Sequence, residues 1–181
     1  MTFRPYKLTL VTPPATEPFV LADVKLFLRI DGSAEDALLT SLIVAARQSA
    51  EHYLRRSLIN QIWKLSYDDY LSEETALLRG PVQAIISVNR VERDGTATEF
   101  DSQNYFLRQT DDTLICDITP FAHRLEITYE AGYGEAASDV PAAVKQGMLS
   151  HIAALYEHRA LGAPLPDTAQ TLYAPYRVMG V

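Results

Sequence analysis

Ser33-Ala-Glu-Asp-Ala-Leu-Leu-Thr-Ser-Leu-Ile-Val-Ala-Ala-Arg-Gln-Ser-Ala-Glu-His-Tyr-Leu-Arg-Arg56 carries the clearest helical period in the chain. Leu38, Leu39, Leu42, Ile43, Ala46, Ala50, Tyr53 and Leu54 recur at intervals of three and four and form one apolar stripe, with Arg47, Glu51 and Arg55 off it. Ser33 is placed to cap the N-terminus, and Glu35 and Asp36 suit the positive end of the helix dipole. Upstream, Leu21, Val24, Phe27 and Leu28 predict a shorter helix from Leu21 to Ile30. Asp31-Gly32 should stop it, because glycine takes the left-handed cap at little cost. Downstream, Asp139-Val-Pro141 opens a third helix in which Val144, Met148, Ile152 and Leu155 recur. Gly147 there admits the close approach of another backbone, and the end falls near Ala160–Gly162.

Between the second and third helices the period changes to two. Trp63, Leu65 and Tyr67 alternate with polar residues, and Leu125, Ile127 and Tyr129 do so against Glu126, Thr128 and Glu130. Ile85 to Val91, Tyr105 to Leu107 and Leu114 to Ile118 read as further strands, with Asp94-Gly95 as a hairpin turn. The fold class expected is therefore α+β: a small helical bundle from residues 21–57 and 139–161, an antiparallel β unit inserted at 61–131, and extended arms at both ends. Seven of the prolines (Pro5, Pro13, Pro14, Pro18, Pro164, Pro166 and Pro175) lie in those arms. The C-terminal arm, 162–181, is also apolar, with Leu165, Leu172, Tyr173, Tyr176, Val178 and Met179.

A chain of 181 residues fits one domain, or one with an insertion. With 48% apolar and 22% charged residues it matches globular averages and excludes wholesale disorder. The net charge is −7, which lacks the basic footprint of non-specific nucleic-acid binding. That imbalance is local: residues 61–131 hold 13 acidic and 6 basic side chains, whereas the rest holds 10 of each. A solvated face explains it, and so does an electronegative surface facing something that should not be held tightly. The longest run without a charged residue is 11, Gln146 to Tyr156, against about 20 for a membrane span. No secretory h-region is visible after Met1, so the chain is expected to stay in the cytoplasm of the cell that makes it.

Candidate chemistry is sparse. Asp68-Asp69, Glu73-Glu74 and Asp111-Asp112 are adjacent carboxylates, but neighbours on a strand point to opposite faces and do not converge on a substrate. His151 and His158 are two turns apart on one helix, about 10.5 Å along its axis, too far for a chelating pair. His52 and His123 have no partner spacing either. Cys116 sits in an apolar strand without the positive setting a thiolate needs. Ala131-Gly-Tyr-Gly134 lacks the lysine of a phosphate loop, and Asp31-Gly-Ser-Ala-Glu-Asp36 lacks the ligand alternation of a calcium loop. These residues predict no enzyme, cofactor or metal.

The order of segments, however, resembles one family. Pro18-Phe-Val-Leu-Ala-Asp-Val-Lys25, Leu28-Arg-Ile-Asp-Gly32, Glu35-Asp-Ala-Leu-Leu39, Ala45-Ala-Arg47 through Tyr53, Gln61-Ile-Trp63 and Gly80-Pro-Val82 follow one another as in the head–tail connector (adaptor) proteins of long-tailed phages, prophages and gene-transfer particles. Val88 with Asp94-Gly95, Ile127-Thr-Tyr-Glu-Ala-Gly-Tyr-Gly134, Val140-Pro-Ala-Ala-Val-Lys-Gln146, Tyr156-Glu-His-Arg159 and Ala174-Pro-Tyr-Arg-Val178 extend the resemblance over nearly the whole chain. Val20 stands where such proteins often have a capping threonine or serine, which predicts a slightly frayed first turn.

What the resemblance implies is a structural virion protein, not an enzyme. It would assemble in the bacterial cytoplasm into a ring, commonly dodecameric, at the neck of the particle. Such a ring sits between portal protein and tail-side completion protein and extends the DNA channel, with DNA passing unbound and no membrane involved. A closed ring needs two different mating patches per subunit. The second and third helices are candidates for them. The C-terminal arm would dock on a neighbour or on the portal through Leu172, Tyr173, Pro175, Tyr176, Arg177 and Met179. Two alternatives stand beside it: a tail-completion or head-closure binding module, and a small hydrolase using the acidic β unit.

Overall fold

A computed structural model of the chain describes residues 6–70, 73–117, 121–158 and 164–179, with side-chain placement omitted at 69–70 and 121–122. The order is β1 (Tyr6–Thr12), α1 (Leu21–Leu28), α2 (Asp36–Leu54), β2 (Gln61–Tyr70), β3 (Glu74–Ala76), β4 (Val82–Val91), β5 (Ala97–Glu99), β6 (Tyr105–Arg108), β7 (Thr113–Cys116), β8 (Phe121–Ala131), α3 (Ala142–His158) and α4 (Asp167–Tyr173). The protein is mixed α+β. Its described residues group into two compact units, one from Met1–Pro14 with Asn60–Gly132, the other from Ala15–Ile59 with Tyr133–Val181.

In the helical unit, Leu39, Ile43, Ala46, Ala50 and Leu54 of α2 meet Val144, Met148 and Ile152 of α3, with Val24 of α1 and Ala169 and Tyr173 of α4 completing the core. The stripe read along 38–54 is therefore the packed face, except that Leu38 remains exposed. Helix starts and stops differ from expectation. Ser33 is not the cap: α2 begins at Asp36, with Glu35 before it and no side-chain cap, while Asp36 does lie in the first turn, and both carboxylates also make tertiary bonds. Tyr156 donates its hydroxyl to Glu35 Oε2 at 2.6 Å, and Lys25 Nζ reaches Asp36 Oδ1 at 2.7 Å and the carbonyl of Gly32. The first helix ends before Gly32, because Arg29 itself adopts the left-handed cap at φ 57°. Its N–H bonds to Leu26 and that of Ile30 to Lys25 O at 3.0 Å, so the orphan carbonyls are satisfied without glycine. Val20 provides no side-chain cap, yet α1 still starts at Leu21.

The β unit holds a five-stranded antiparallel sheet, β1-β2-β8-β4-β5, and a three-stranded one, β3-β7-β6. Leu125, Ile127 and Tyr129 of β8 are wholly buried, as the alternation predicted, with Leu65 opposite Ile127 in register. Full burial is worth about 1.5–3 kcal/mol for each such leucine or isoleucine. Leu114 and Cys116 of β7, with Leu77 and Phe100, share this second core. Tyr129 keeps its hydroxyl satisfied by donating to Leu78 O at 2.7 Å. Gly95 takes φ +88° in the turn joining β4 and β5.

Both arms are more regular than the prolines suggested. The N-terminal one forms β1, paired with β2 from Tyr6↔Tyr67 to Thr12↔Ile62, and so joins the β unit beyond the 61–131 boundary. The C-terminal one is not extended: Pro166 opens α4, and a short 3-10 turn follows over Ala174–Tyr176. The expected helix end near Ala160–Gly162, Arg159 and the strand end at Ile118 lie outside the described residues.

Candidate functional site

The residues proposed for partner docking divide into two sets. Tyr173 is fully buried in its own chain. Its ring lies on Gly147 of α3, where an added Cβ would sit 2.4 Å from Tyr173 Cε1, and tilts against Tyr53 with centroids 5.9 Å apart. Gly147 thus admits a tyrosine ring, not the second backbone that the sequence suggested. Burial raises the Tyr173 phenol pKa, so it stays neutral. The following turn is tied down by backbone: Val178 N–H donates to Leu54 O at 3.0 Å, and Arg56 Nε donates to Tyr176 O at 2.7 Å. Arg177 stacks its guanidinium over Tyr53 at 4.7 Å. Leu172 and Tyr176 are half-buried, while Pro175, Arg177 and Met179 face solvent, Met179 at 77% exposure.

Arg47 and Glu51, placed off the apolar stripe by their spacing, are both buried. Arg47 Nε donates to Glu17 Oε2 at 2.7 Å and its Nη1 to Glu51 Oε2 at 2.9 Å, while Glu51 Oε1 accepts from Leu58 N–H at 3.0 Å. Burial opposes the Arg47 charge, but the hydrogen bond to Glu17 and the field of Glu51 outweigh it, and its pKa is raised. The cluster ties the segment before α1 to α2 and to the chain following it. Sequence reasoning had no signal for this beyond the arginine-to-glutamate spacing of four.

The remaining candidates stay dispersed. Glu74 and Asp111 do converge, but on Arg108, at 3.0 and 2.8 Å, which holds both carboxyls below their ordinary range. Asp112 is occupied with Val82 N–H at 2.7 Å. His52, His123 and His158 are exposed, and His151 is buried with its pKa lowered by desolvation. Burial also raises the Cys116 thiol, which opposes thiolate formation. Among the described residues no three potential ligands group as a metal site. A shallow depression of about 670 Å³ lies on the open face of β1, β2 and β8, lined by Lys7, Thr9, Lys64, Ser66, Arg124 and Glu126 among others. Lys64 and Arg124 are both paired there with Glu126, at 2.9 and 3.2 Å. No helix among the described residues is long and apolar enough to cross a membrane.

Comparison with known proteins supplies the family. The model of the phage gp6-like head–tail connector proteins matches residues 19–114, more than half of the chain. The chain belongs to that family. It is a structural head–tail connector. Its fold is also that of chains solved in gene transfer agent particles. One, from the neck of an empty particle computed with C6 symmetry, superposes with a TM-score of 0.85 at 23% identity, over 97% of each chain. Another, from the virion of a native particle, gives 0.82 at 24% identity over 96% of each. A third, from a native neck computed with C12 symmetry, gives 0.74 at 23% identity over 97% of each. No curated protein matches in sequence. The connector's match begins at Phe19, next to the Glu17–Arg47–Glu51 cluster, and ends within β7.

Proposed function

We propose that this connector forms a homo-oligomeric ring in the neck of a phage or phage-like particle, between the portal and the tail-side completion protein, and lengthens the channel through which DNA passes. The observation carrying this reading is the family match, joined to a fold shared end to end with neck chains of symmetric particles. The acidic excess of residues 61–131 supports a channel that repels phosphate, so that DNA slides instead of sticking. The absence of a catalytic constellation in the sequence supports a purely structural part. Tyr173 anchors the C-terminal segment, and its solvent-facing side, with Pro175, Arg177 and Met179 beside half-buried Leu172 and Tyr176, docks on the portal or a neighbouring copy.

Deleting the gene in its native particle should leave DNA-filled heads without tails. The tagged protein should be found at the neck by electron microscopy of the complemented particles. Particles that form tails normally without it, or that never contain it, overturn the reading. Crosslinks to tail proteins but none to portal would instead place it one ring further along.

A further inference from the structure

The five-stranded sheet is open, and its two edges differ. Among the described residues β1 pairs only with β2, and β5 only with β4. A free strand edge presents N–H and C=O groups as a template for another strand, and proteins commonly blunt it by shortness, proline or charge. The β5 edge is blunted, at three residues. The β1 edge is not: seven residues, no proline, Lys7 as its one charge, and every residue but Leu8 exposed. Only a register shift between Leu10 and Thr12 interrupts it.

The charges at the two edges are complementary. Among the described residues neither Lys7 nor Glu99 is in an ion pair. Around β5, exposed Glu92, Asp94, Glu99 and Asp101 stand against exposed Arg93 and half-buried Arg90, whose guanidinium lies over the Phe100 ring at 6.0 Å. Direction fits as well, since four successive antiparallel pairings leave β1 and β5 pointing the same way. A second copy turned about a ring axis therefore brings its β5 alongside β1 in parallel. Such a contact joins two different patches, the kind that repeats and closes.

We propose that the β1 edge of one copy, at Lys7, receives the β5 edge of the next, at Glu99, so that neighbouring sheets join around the ring. The proposal rests on the ring reading above. With β5 only three residues long, the pairing supplies register and direction. Stable interfaces bury about 1,200–2,000 Å², so other surfaces supply most of the area.

Assembled particles treated with a zero-length carbodiimide test it. An amide should form between the Lys7 amine and the Glu99 carboxyl of adjacent copies, visible as a ladder of connector multimers and as one linked peptide by mass spectrometry. Lys7→Arg should assemble but lose that link. Lys7→Glu, folded by circular dichroism, should enter necks about tenfold less well in competition with the parent, and Glu99→Lys should restore it. Necks that contain the connector but yield no Lys7–Glu99 link overturn the edge pairing and leave the ring reading standing. So does a Lys7 link to another virion protein, or undiminished entry of Lys7→Glu. A connector absent from particles overturns the ring reading first, and the edge pairing with it.

Discussion

Replacing Gly147 by alanine tests whether the C-terminal segment is part of the core. Such a change inside a helix ordinarily stabilises by about 1 kcal/mol, because alanine loses less freedom on folding. Here the new Cβ would lie 2.4 Å from Tyr173 Cε1, 3.0 Å from Cζ and 3.1 Å from Cδ1, where ordinary contact starts at 3.4 Å. The ring must retreat by about 1 Å, but it is fully buried and Tyr53 stands against it. Overpacking costs about 1–3 kcal/mol, and a ring confined in this way sits at the upper end, so the net loss is about 2 kcal/mol. In a chain of this size that lowers Tm by roughly 4–8 °C. Tyr173→Ala alone costs about 3–5 kcal/mol through the cavity it leaves. In its background Gly147→Ala should recover the ordinary gain, which inverts its sign and gives a coupling of about 3 kcal/mol. Thermal and urea unfolding of the four proteins, followed by circular dichroism, measures the cycle. A Gly147→Ala that stabilises while Tyr173 is present, or costs the same with and without the ring, refutes the reasoning.

Three further outcomes are expected. A chain ended at Pro166 loses Ala169 and Tyr173 from the core and the bond from Val178 to Leu54, so its helical unit should melt non-cooperatively and be cut rapidly by protease; a melting curve like the parent's would contradict this. Arg47→Ala removes the cation beside the buried Glu51 carboxylate and should cost about 3–5 kcal/mol in urea unfolding, whereas Glu17→Gln, at the more exposed partner, should cost under about 1 kcal/mol. The folded pKa of His151 lies below its ordinary 6.5, so the unfolded chain binds the extra proton; stability should decline as pH falls through 6.5 towards the lower folded value, and His151→Leu should flatten that part of the Tm profile, equal slopes in both proteins counting against the buried imidazole.

Where local pattern and tertiary packing agree, the chain was readable from its residues. The stripe from Leu39 to Leu54 and the alternation of Leu125, Ile127 and Tyr129 are core faces because helical and strand periods put like side chains on one side, wherever the partner comes from. The order of short segments likewise carried the family. Arg47 and Glu51 were misplaced because spacing assigns charged residues to water, whereas their mutual ion pair, Glu17 thirty residues before Arg47, and the Leu58 N–H together satisfy them in the interior. The C-terminal prolines signalled an extended arm, since proline forbids a helix interior, but Pro166 stands just outside one, where its missing N–H costs nothing.

By itself, then, the sequence determined the first three helices, the central strands, the two apolar faces and the connector family, all properties of neighbours along the chain. Tertiary structure alone decided that Tyr173 closes on Gly147, that Tyr6–Thr12 becomes a sheet edge, and that Lys25 and Tyr156 bond the carboxylates standing at the start of α2. The reason is physical. A contact between residues far apart in the chain has no local period to announce it, and its energy depends on what else occupies the space when the core closes.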